Sequence, residues 1–417
     1  MLIADPRRPR DRRAPLSAVV WALAITQTVG YGVLYYAFSV VLVPAATDLH
    51  VSATAITGAL TVAVLVSGVC AIPVGRWLDR HGGRAAMTVG STIGTLAVVV
   101  WSQVQTVTQL YAVFALIGVA SAMVLYEAAF AVLVAVLDRK RCATAILTVT
   151  VVAGLASSVF VPLTGYLVDA FGWRIAVLTL GGIHAAAIPL HALALGSTRL
   201  PKSSAAAVGR PAEPAVVAAV RDPGFWLVTA GFVFQGAAVA AVAVHLVTYL
   251  MTLGHPAPLA AAVAGMLGIA SVAGRLATAG LTRWLPVTVV TAIVFAGQGV
   301  AICGLLFTGR GVAGAVASVL TFGLGFGVAT ITRPAVLVDR YGTVRYATIA
   351  ASLATPTTLA KAGAPLAAAA VATTAGYSTV MAGVAAACLV AAGCFAATNG
   401  LRRVDSSLTL AKSLSNN

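Results

Sequence analysis

The sequence contains few charged residues and particularly few acids. Charged residues make up 9% of the 417 residues, and 26 lysines and arginines stand against 11 aspartates and glutamates. A soluble domain carries about 25% charged residues. Because 60% of the residues are hydrophobic and the mean hydropathy is +0.99, the composition excludes a soluble globular domain and predicts a polytopic membrane protein.

Cysteines are also scarce, and the sequence contains no motif that is typical of a catalytic or metal-binding site. The five cysteines lie mostly in apolar segments without metal-ligand spacing, which excludes a disulfide framework and a zinc site; they are Cys70, Cys142, Cys303, Cys388 and Cys394. No metal-binding cluster, nucleophile elbow or phosphate-binding P-loop is found. We therefore expect neither an enzyme, a bound metal nor a cofactor, and the missing P-loop argues against a built-in ATPase.

The sequence does contain a series of long apolar runs. A bilayer core needs about 20 apolar residues per helix, and division at charges and at glycine or proline turns gives twelve such segments. We predict spans near residues 17–42, 54–78, 85–103, 107–137, 143–168, 174–197, 224–251, 257–282, 287–308, 312–338, 345–371 and 376–398.

A polar stretch divides these spans into two sets of six. Residues 198–222 are rich in proline, serine and charge, which is typical of a linker. The predicted fold is an all-α integral membrane protein of two pseudo-symmetric six-helix bundles. Its parts are a basic cytoplasmic N-terminus (1–16), an N-terminal bundle (17–197), the cytoplasmic linker (198–222), a C-terminal bundle (223–398) and a cytoplasmic tail (399–417).

The lysines and arginines are distributed unevenly between the two membrane faces that this topology defines. With the N-terminus in the cytoplasm, 21 of the 26 lie on the cytoplasmic face, and only Arg174 and Arg310 lie outside, as the positive-inside rule requires. No signal-peptide cleavage pattern precedes the first span, so we expect that span to be retained. The prediction is a multi-pass plasma-membrane protein with both termini cytoplasmic. This topology accounts for the net charge of +15 without a nucleic-acid partner.

The two predicted halves repeat sequence features at a nearly constant offset. Offsets this similar imply duplication of a six-helix unit, the parallel-repeat arrangement of one large transporter fold. The matching positions are Gly75 and Gly280 (205 apart), Pro162 and Pro365 (203 apart), and Gly172-Trp173 and Gly376-Tyr377 (204 apart).

The most specific motif is GRWLDRHGGR, from Gly75 to Arg84, between the second and third spans. It resembles the G-x-x-x-D-[RK]-x-G-[RK]-[RK] loop of the major facilitator superfamily and departs from it at Gly83, where a basic residue is usual. Gly75 permits close helix approach, and Asp79 can lie at the positive N-terminus of a neighbouring helix. In that family the loop latches one conformation of two rocking halves. The resemblance therefore implies a transporter, acting as a monomer, with a conformational latch at Gly75, Asp79, Arg80 and Arg84.

Polar residues inside the predicted spans are candidates for a substrate-binding cavity. Gln27, Tyr31 and Tyr35 recur every four residues in the first span and so share one helical face. That face either forms interhelical hydrogen bonds or lines a cavity. In superfamily members the first, fourth, seventh and tenth spans line the central cavity. The resemblance favours the cavity and adds further candidates from those spans: Tyr126, Glu127, Gln235, His245, Tyr249 and Arg333.

Three basic side chains, Arg275, Arg333 and Lys361, lie within predicted spans. Charge at that depth costs several kcal/mol unless it is paired or used, so this excess suggests an anionic solute. An arginine in the eighth span with a lysine in the eleventh resembles the cationic pair of oxalate/formate antiporters. The eighth-span arginine alone is similar to that of monocarboxylate porters. This resemblance implies that Arg275 and Lys361 bind substrate carboxylates. Two interpretations are open for Arg333. It binds substrate together with Arg275 and Lys361, or its side chain extends to Asp339 or to the membrane interface.

Glu127 is the only acid in the predicted hydrocarbon region, and three roles are open to it. The first role is an ion pair with a buried cation, and Arg333 is a candidate partner because the two residues are 206 apart and nearly equivalent in the repeat. The second is a proton carrier, whose pKa would depend on burial and on nearby cations. The third is direct binding of a cationic substrate.

These features together predict a secondary active transporter that uses alternating access. The leading hypothesis is a mono- or dicarboxylate substrate held by Arg275 and Lys361, with the lipid bilayer and either protons or a counter-anion as the other partners. The alternative is proton-coupled efflux of a drug or secondary metabolite with Glu127 as the proton carrier. Pro162-Leu-Thr-Gly165 resembles only part of the G-P-x-x-G-G stretch of drug/proton antiporters. A scaffold or sensor that moves no solute is a third class.

Overall fold

The computed structural model describes residues 16–195 and 213–415, and these residues are helical without any β-strand. Long apolar runs favour helices in a membrane because a helix satisfies every backbone hydrogen bond within its own segment. We number the membrane-length segments as the first to twelfth spans, in chain order.

The N-terminal half contains six spans, several of them interrupted. The first consists of Leu16–Tyr31, a π-helical turn Gly32–Tyr36 and Ala37–Asp48; the second is Ala53–His81 and the third Gly83–Trp101. The fourth consists of Val107–Val124 and Tyr126–Val136, the fifth of Arg139–Ala153 and Ala156–Phe171, and the sixth of Trp173–Ala185 and Ala187–Ala194.

The C-terminal half begins with a short helix, Glu213–Arg221, which is the described end of the predicted linker. Its spans are Pro223–Thr252 (seventh), Ala257–Leu281 (eighth), Val287–Thr308 (ninth), Val312–Phe326 with Ala329–Tyr341 (tenth), Tyr346–Ala375 (eleventh) and Tyr377–Ser415 (twelfth). The twelfth helix continues beyond its apolar part, which ends at Thr398, into the predicted tail.

Eleven of the twelve spans are long and apolar enough to cross a membrane by composition. The exception among the described residues is the eleventh, which contains Lys361, two prolines and six threonines. At 1.5 Å per residue its 30 residues measure about 45 Å, enough for a hydrocarbon core of about 30 Å. The chain is therefore an all-α, multi-pass membrane protein.

Interruptions in the spans lie at the level of the central cavity. The fourth span breaks at Leu125, whose backbone is extended (φ −81°, ψ −167°), and the tenth breaks at Gly327. The first span widens into its π-helical turn at the same level, and such turns are frequent at functional sites. At the break in the fourth span the carbonyl oxygen of Val124 accepts a hydrogen bond from a side chain, that of Gln27.

The repeat that the sequence indicates is visible in backbone conformation. Gly172 and Gly376 end the fifth and eleventh spans, both with φ of +81°. Glycine suits these positions because it adopts positive φ without steric cost. Each is followed at once by an aromatic residue that begins the next helix, Trp173 or Tyr377.

The two halves pack together at one end of the molecule, which we call the latch face. There the second span ends at His81 and the eleventh begins at Tyr346. One hydrophobic core cluster extends through the N-terminal half and into the C-terminal half near this face, including Phe225, Val336 and Tyr346. A second cluster lies within the C-terminal half, toward the opposite end. Cross-half packing is thus concentrated at the latch face.

Candidate functional site

A cavity of about 490 Å³ lies between the two halves and is lined by residues from eight spans. This volume is within the range typical of small-molecule sites, about 300–1,000 Å³. We call it the central cavity. Its charged and aromatic lining side chains are Tyr31, Tyr35, Tyr36, Tyr126, Glu127, Phe130, Arg275, Phe326, Arg333 and Lys361. Three cations and one carboxylate leave a formal excess of two positive charges.

Arg275 reaches the cavity between helix interruptions of the two halves. Its Nε donates to the carbonyl oxygen of Gly327 and its Nη1 to that of Thr150, both at 3.3 Å. A Cβ at Gly327 would collide with the guanidinium group, so glycine is required for this approach. The partners of Arg275 are neutral carbonyls, and its positive charge is therefore not cancelled by them.

Arg333 and Glu127 form an ion pair across the two halves. Nη1 of Arg333 lies 2.6 Å from Oε1 of Glu127, and the two side chains are 13% and 35% exposed. Glu127 lies in the first turn of Tyr126–Val136, where the positive end of the helix dipole also stabilises a carboxylate. Of the roles open to Glu127 in the sequence, pairing with Arg333 is the one that this geometry displays.

Lys361 lines the same cavity and is a cation without a partner there. Its ammonium group makes no hydrogen bond or ion pair with any residue in the described ranges. Gly236 of the seventh span leaves room for its carbon chain, since a Cβ at Gly236 would lie 2.9 Å from Cε of Lys361. Lys361 interacts electrostatically with both Arg333 and Glu127. The structure thus brings all three predicted cations and the predicted acid to one site.

Gln27 and Gln235 were predicted to line the cavity, and the structure places both of them elsewhere. Gln27 is fully buried, and its Nε2 donates to the carbonyl of Val124 at 2.6 Å, where the break at Leu125 ends a helix. Gln235 donates to Gln298, whose own Nε2 donates to the carbonyl of Phe322 in the tenth span. Both glutamines therefore make interhelical hydrogen bonds. For Gln27 this is the alternative to cavity lining that the sequence left open.

Tyr31 and Tyr35 do line the cavity, and the structure adds residues that the sequence reasoning missed. Tyr36 joins them because the π-helical turn Gly32–Tyr36 changes the angular spacing along the first span. Hydroxyl groups also contribute to the lining, from Ser67, Ser121, Ser157, Ser271, Thr330 and Thr358. The adjacent Tyr35-Tyr36 pair was the one signal in the sequence for Tyr36.

The GRWLDRHGGR motif makes a direct contact between the halves at the latch face. The carboxylate of Asp79 accepts hydrogen bonds from the backbone nitrogens of Ala347 (3.2 Å) and Thr348 (2.9 Å), and from Oγ1 of Thr348 at 2.5 Å. It thus lies at the N-terminus of the eleventh span, as predicted from the helix dipole. A Cβ at Gly75 would lie 2.6 Å from the carbonyl oxygen of Ala347, so the close approach requires glycine.

The structure does not bring Arg80 and Arg84 into this contact. Both side chains are exposed, and neither forms a hydrogen bond or ion pair with the part of the chain that is described. The basic residue that interacts electrostatically with Asp79 is Arg345, immediately before the eleventh span. The reason is positional: Arg80 and Arg84 flank the turn at Gly82, whereas Arg345 is adjacent to the helix end that Asp79 binds.

Two bundles that share a charged central cavity and pack together at one face are the architecture of a membrane transporter. The family model described as "Major Facilitator Superfamily" matches residues 23–360, which is most of the chain, and the chain belongs to this superfamily. Its members are transporters, not enzymes. No curated protein sequence matches the chain.

Solved structures of superfamily transporters share the fold over nearly their full length. The chain is similar to the Escherichia coli fucose:proton symporter, with 15% identity, coverage of 91% of this chain and 98% of that one, and a TM-score of 0.69. A bacterial homologue of the iron transporter ferroportin, in an outward-facing state, has 13% identity, coverage of 92% and 98%, and a TM-score of 0.74. The human organic anion transporter MFSD10 has 15% identity, coverage of 93% and 100%, and a TM-score of 0.67. At these identities the likeness concerns the fold.

Proposed function

We propose that the protein moves a small organic anion, a mono- or dicarboxylate, across the plasma membrane by alternating access. The observation that supports this is the convergence of Arg275 and Lys361 on one cavity with a positive excess. A guanidinium group binds a carboxylate through paired N–H donors, whereas an ammonium group supplies a compact point charge. A positively charged cleft with low-dielectric walls also concentrates anions.

Alternating access would use the two halves as rigid units joined by the linker. We infer that residues 17–197 and 223–398 form these units, that the protein acts as a monomer, and that the latch face is cytoplasmic. The contacts of Asp79 and the Arg333–Glu127 pair join the halves toward that face, so opening it would require both to break. In this proposal the cavity of the present conformation serves the outer side of the membrane.

The test is uptake of labelled carboxylates into proteoliposomes, including oxalate, succinate and 4-hydroxybenzoate, with protein-free liposomes as the leak control. Loss of a hydrogen-bonded charge costs about 1.5–3 kcal/mol, or roughly 10- to 100-fold. Arg275→Ala and Lys361→Ala should each reduce specific uptake by about that factor, with unchanged expression. Arg283→Ala removes an exposed arginine two turns beyond Arg275 and should leave uptake unchanged. Normal uptake in both cavity variants would remove the anion proposal.

A second candidate function is proton-coupled efflux of a drug or secondary metabolite, with Glu127 as the proton carrier. The observation that favours it is the partial exposure of Glu127 to the cavity, at 35%, beside Arg333. From this position the carboxyl group has access to the cavity and contacts the other half through Arg333.

Glu127→Gln tests this second function because glutamine cannot be deprotonated. We expect transport in this variant to lose its dependence on an imposed pH gradient, measured as solute flux with and without the gradient. Asp169→Asn, at an exposed carboxylate of the fifth span, serves as the matched control and should retain the wild-type dependence. An unchanged pH response in Glu127→Gln would exclude Glu127 as the carrier.

A further inference from the structure

The two halves contribute different chemistry to the central cavity. All three cations come from the C-terminal half, on the eighth, tenth and eleventh spans. The N-terminal half contributes an aromatic surface, which we call the tyrosine wall. It consists of Tyr31, Tyr35 and Tyr36 of the first span and Tyr126 of the fourth.

The rings of the tyrosine wall contact one another and the neighbouring Phe130, with the Tyr31 and Tyr126 planes tilted by 47°. The ring centroids of Tyr31 and Tyr126 are 4.5 Å apart, and those of Tyr126 and Phe130 are 5.1 Å apart with planes only 9° from parallel. The Tyr35 and Tyr36 rings meet edge to face at 5.4 Å. These separations are within the range in which aromatic rings attract one another beyond simple area burial. A planar ring that entered the cavity would add to an existing cluster of aromatic rings.

The cations and this wall line the same cavity. Arg275 and Arg333 are lining residues together with Tyr31, Tyr36 and Tyr126. Lys361, which has no partner among the described residues, lines the same cavity. A ligand between the halves therefore meets positive charge on one side and tyrosine side chains on the other.

A substrate that drives alternating access has to contact both halves, because only differential contacts shift a conformational equilibrium. A small dianion such as oxalate would be satisfied by the cations of the C-terminal half alone and would leave the tyrosine wall uncovered. A carboxylate attached to a ring contacts both. We propose that the transported anion is an aromatic carboxylate, with its carboxylate at Lys361 and Arg275 and its ring against Tyr31 and Tyr126. This inference rests on the proposed anion transport and narrows its substrate class.

Equilibrium binding to the detergent-solubilised full-length protein tests the inference without leakage of acids through a bilayer. The calorimetric probes are benzoate, cyclohexanecarboxylate, succinate, oxalate and glucuronate. Benzoate and cyclohexanecarboxylate have the same charge and similar size, but only benzoate has an aromatic face. Aromatic pairing adds about 0.5–1.5 kcal/mol, so benzoate should bind about 2- to 10-fold more tightly than cyclohexanecarboxylate, and more tightly than the other three anions.

Substitutions in the tyrosine wall test whether these residues cause the preference for benzoate over cyclohexanecarboxylate. Tyr31→Leu and Tyr126→Leu should abolish the preference for benzoate over cyclohexanecarboxylate, whereas Tyr126→Phe should retain it. Tyr166→Leu removes a tyrosine that is 67% exposed on the fifth span, outside the cavity lining, and should change nothing. Because each comparison is a ratio of two ligands on one variant, a general loss of folded protein does not imitate the result.

The outcomes separate the two proposals. If cyclohexanecarboxylate, succinate, oxalate or glucuronate binds as tightly as benzoate, or if both leucine variants keep the preference, the aromatic inference is overturned and anion transport stands. If none of these anions binds and none enters proteoliposomes, the proposed function fails, and this inference fails with it.

Discussion

Two side chains one helical turn apart, Gln27 and Tyr31, have different surroundings in this protein. Gln27 is fully buried against the carbonyl of Val124, and Tyr31 lines the central cavity. The difference arises because the fourth span breaks at Leu125 and presents an unpaired carbonyl within reach of the amide. A buried carbonyl without a donor costs free energy, so the glutamine is held there and only the tyrosines remain available to a solute.

The carboxylate of Asp222, immediately before the seventh span, accepts hydrogen bonds from several partners at once. Its carboxylate caps the seventh span through Gly224 and accepts hydrogen bonds from Nε of Arg340 at 2.9 Å and from the hydroxyl of Tyr341 at 2.7 Å. Partial burial raises the pKa of Asp222, but these hydrogen bonds outweigh it and the net pKa is lowered. The ionised Asp222 carboxylate therefore stabilises the folded protein fully above the ordinary aspartate pKa of about 3.9. This contribution is lost as the pH falls through the lowered pKa that Asp222 has in the folded protein.

We predict that Asp222→Asn lowers the apparent Tm at pH 7 by about 2–4 °C, because the charge is lost while asparagine preserves the helix cap. The measurement is thermal unfolding in detergent followed by tryptophan fluorescence. The difference from wild type should narrow as the pH is lowered below about 3.9. Asp222→Ala removes the cap as well and should be less stable than Asp222→Asn. A difference that is constant from pH 7 to the acid limit would contradict the assigned ionic role.

At the scale of helices, interruptions position the site. Glu127 is aligned by the new helix that starts after Leu125, and Arg275 is held by carbonyls at the breaks of the fifth and tenth spans. Both carbonyls also accept a backbone N–H, from Gly154 and Thr330 respectively, so Arg275 shares them with the helix ends. The apolar lengths of the spans in the sequence contain no such information, because a broken and an unbroken helix of the same composition cross the bilayer equally well.

The contact between the second and eleventh spans supports an element-scale prediction. Asp79→Asn weakens the charge–dipole interaction, and Gly75→Ala introduces a Cβ too close to the carbonyl of Ala347. Each should destabilise closure of the latch face by roughly 1–2 kcal/mol, a 5- to 30-fold change in the conformational equilibrium. Spin labels at His81→Cys and Arg283→Cys, in a cysteine-free background, report the distance between halves by pulsed electron paramagnetic resonance.

Both variants should shift the distance distribution of the labels toward longer values. Arg76→Ala, at an exposed residue next to Gly75, serves as the control and should leave the distribution unchanged. Distributions identical to wild type in both Asp79→Asn and Gly75→Ala would mean that the contact does not control closure.

At the scale of the whole molecule, packing of the halves determines where the cavity lies. One hydrophobic cluster joins both halves near the latch face, and the second cluster belongs to the C-terminal half alone. The hydrogen bonds of Asp79 and the Arg333–Glu127 pair strengthen the same side. Sequence charge predicts that this side is cytoplasmic, since it is where most arginines and lysines fall.

The predicted orientation is testable by labelling intact cells with a membrane-impermeant maleimide. In a cysteine-free background, Arg310→Cys should be labelled from outside, whereas Arg283→Cys should be labelled only after the membrane is permeabilised. Both positions are exposed, so a difference reports sidedness and not burial. Labelling of Arg283→Cys in intact cells would show that the latch face is extracellular.

Much of the site was predictable from the sequence because a charge in an apolar run is conspicuous wherever it occurs. Arg275, Arg333, Lys361 and Glu127 all reach the cavity. Gln27 and Gln235 could not be assigned correctly, since an amide serves equally well in a cavity and in a helix-to-helix hydrogen bond. Arg80 and Arg84 match the motif, but the hydrogen bonds to the start of the eleventh span are made by Asp79.

The sequence by itself determined the membrane class, the span lengths, the charge asymmetry and the superfamily motif, because these are properties of local composition and spacing. Only the tertiary structure decided that Arg333 pairs with Glu127 across 206 residues, while Lys361 has no ion-pair partner in the ranges that the structure describes. It also decided that tyrosines of one half face cations of the other. Those relations depend on how each helix is rotated and interrupted, which is fixed by packing between segments that are distant in the chain.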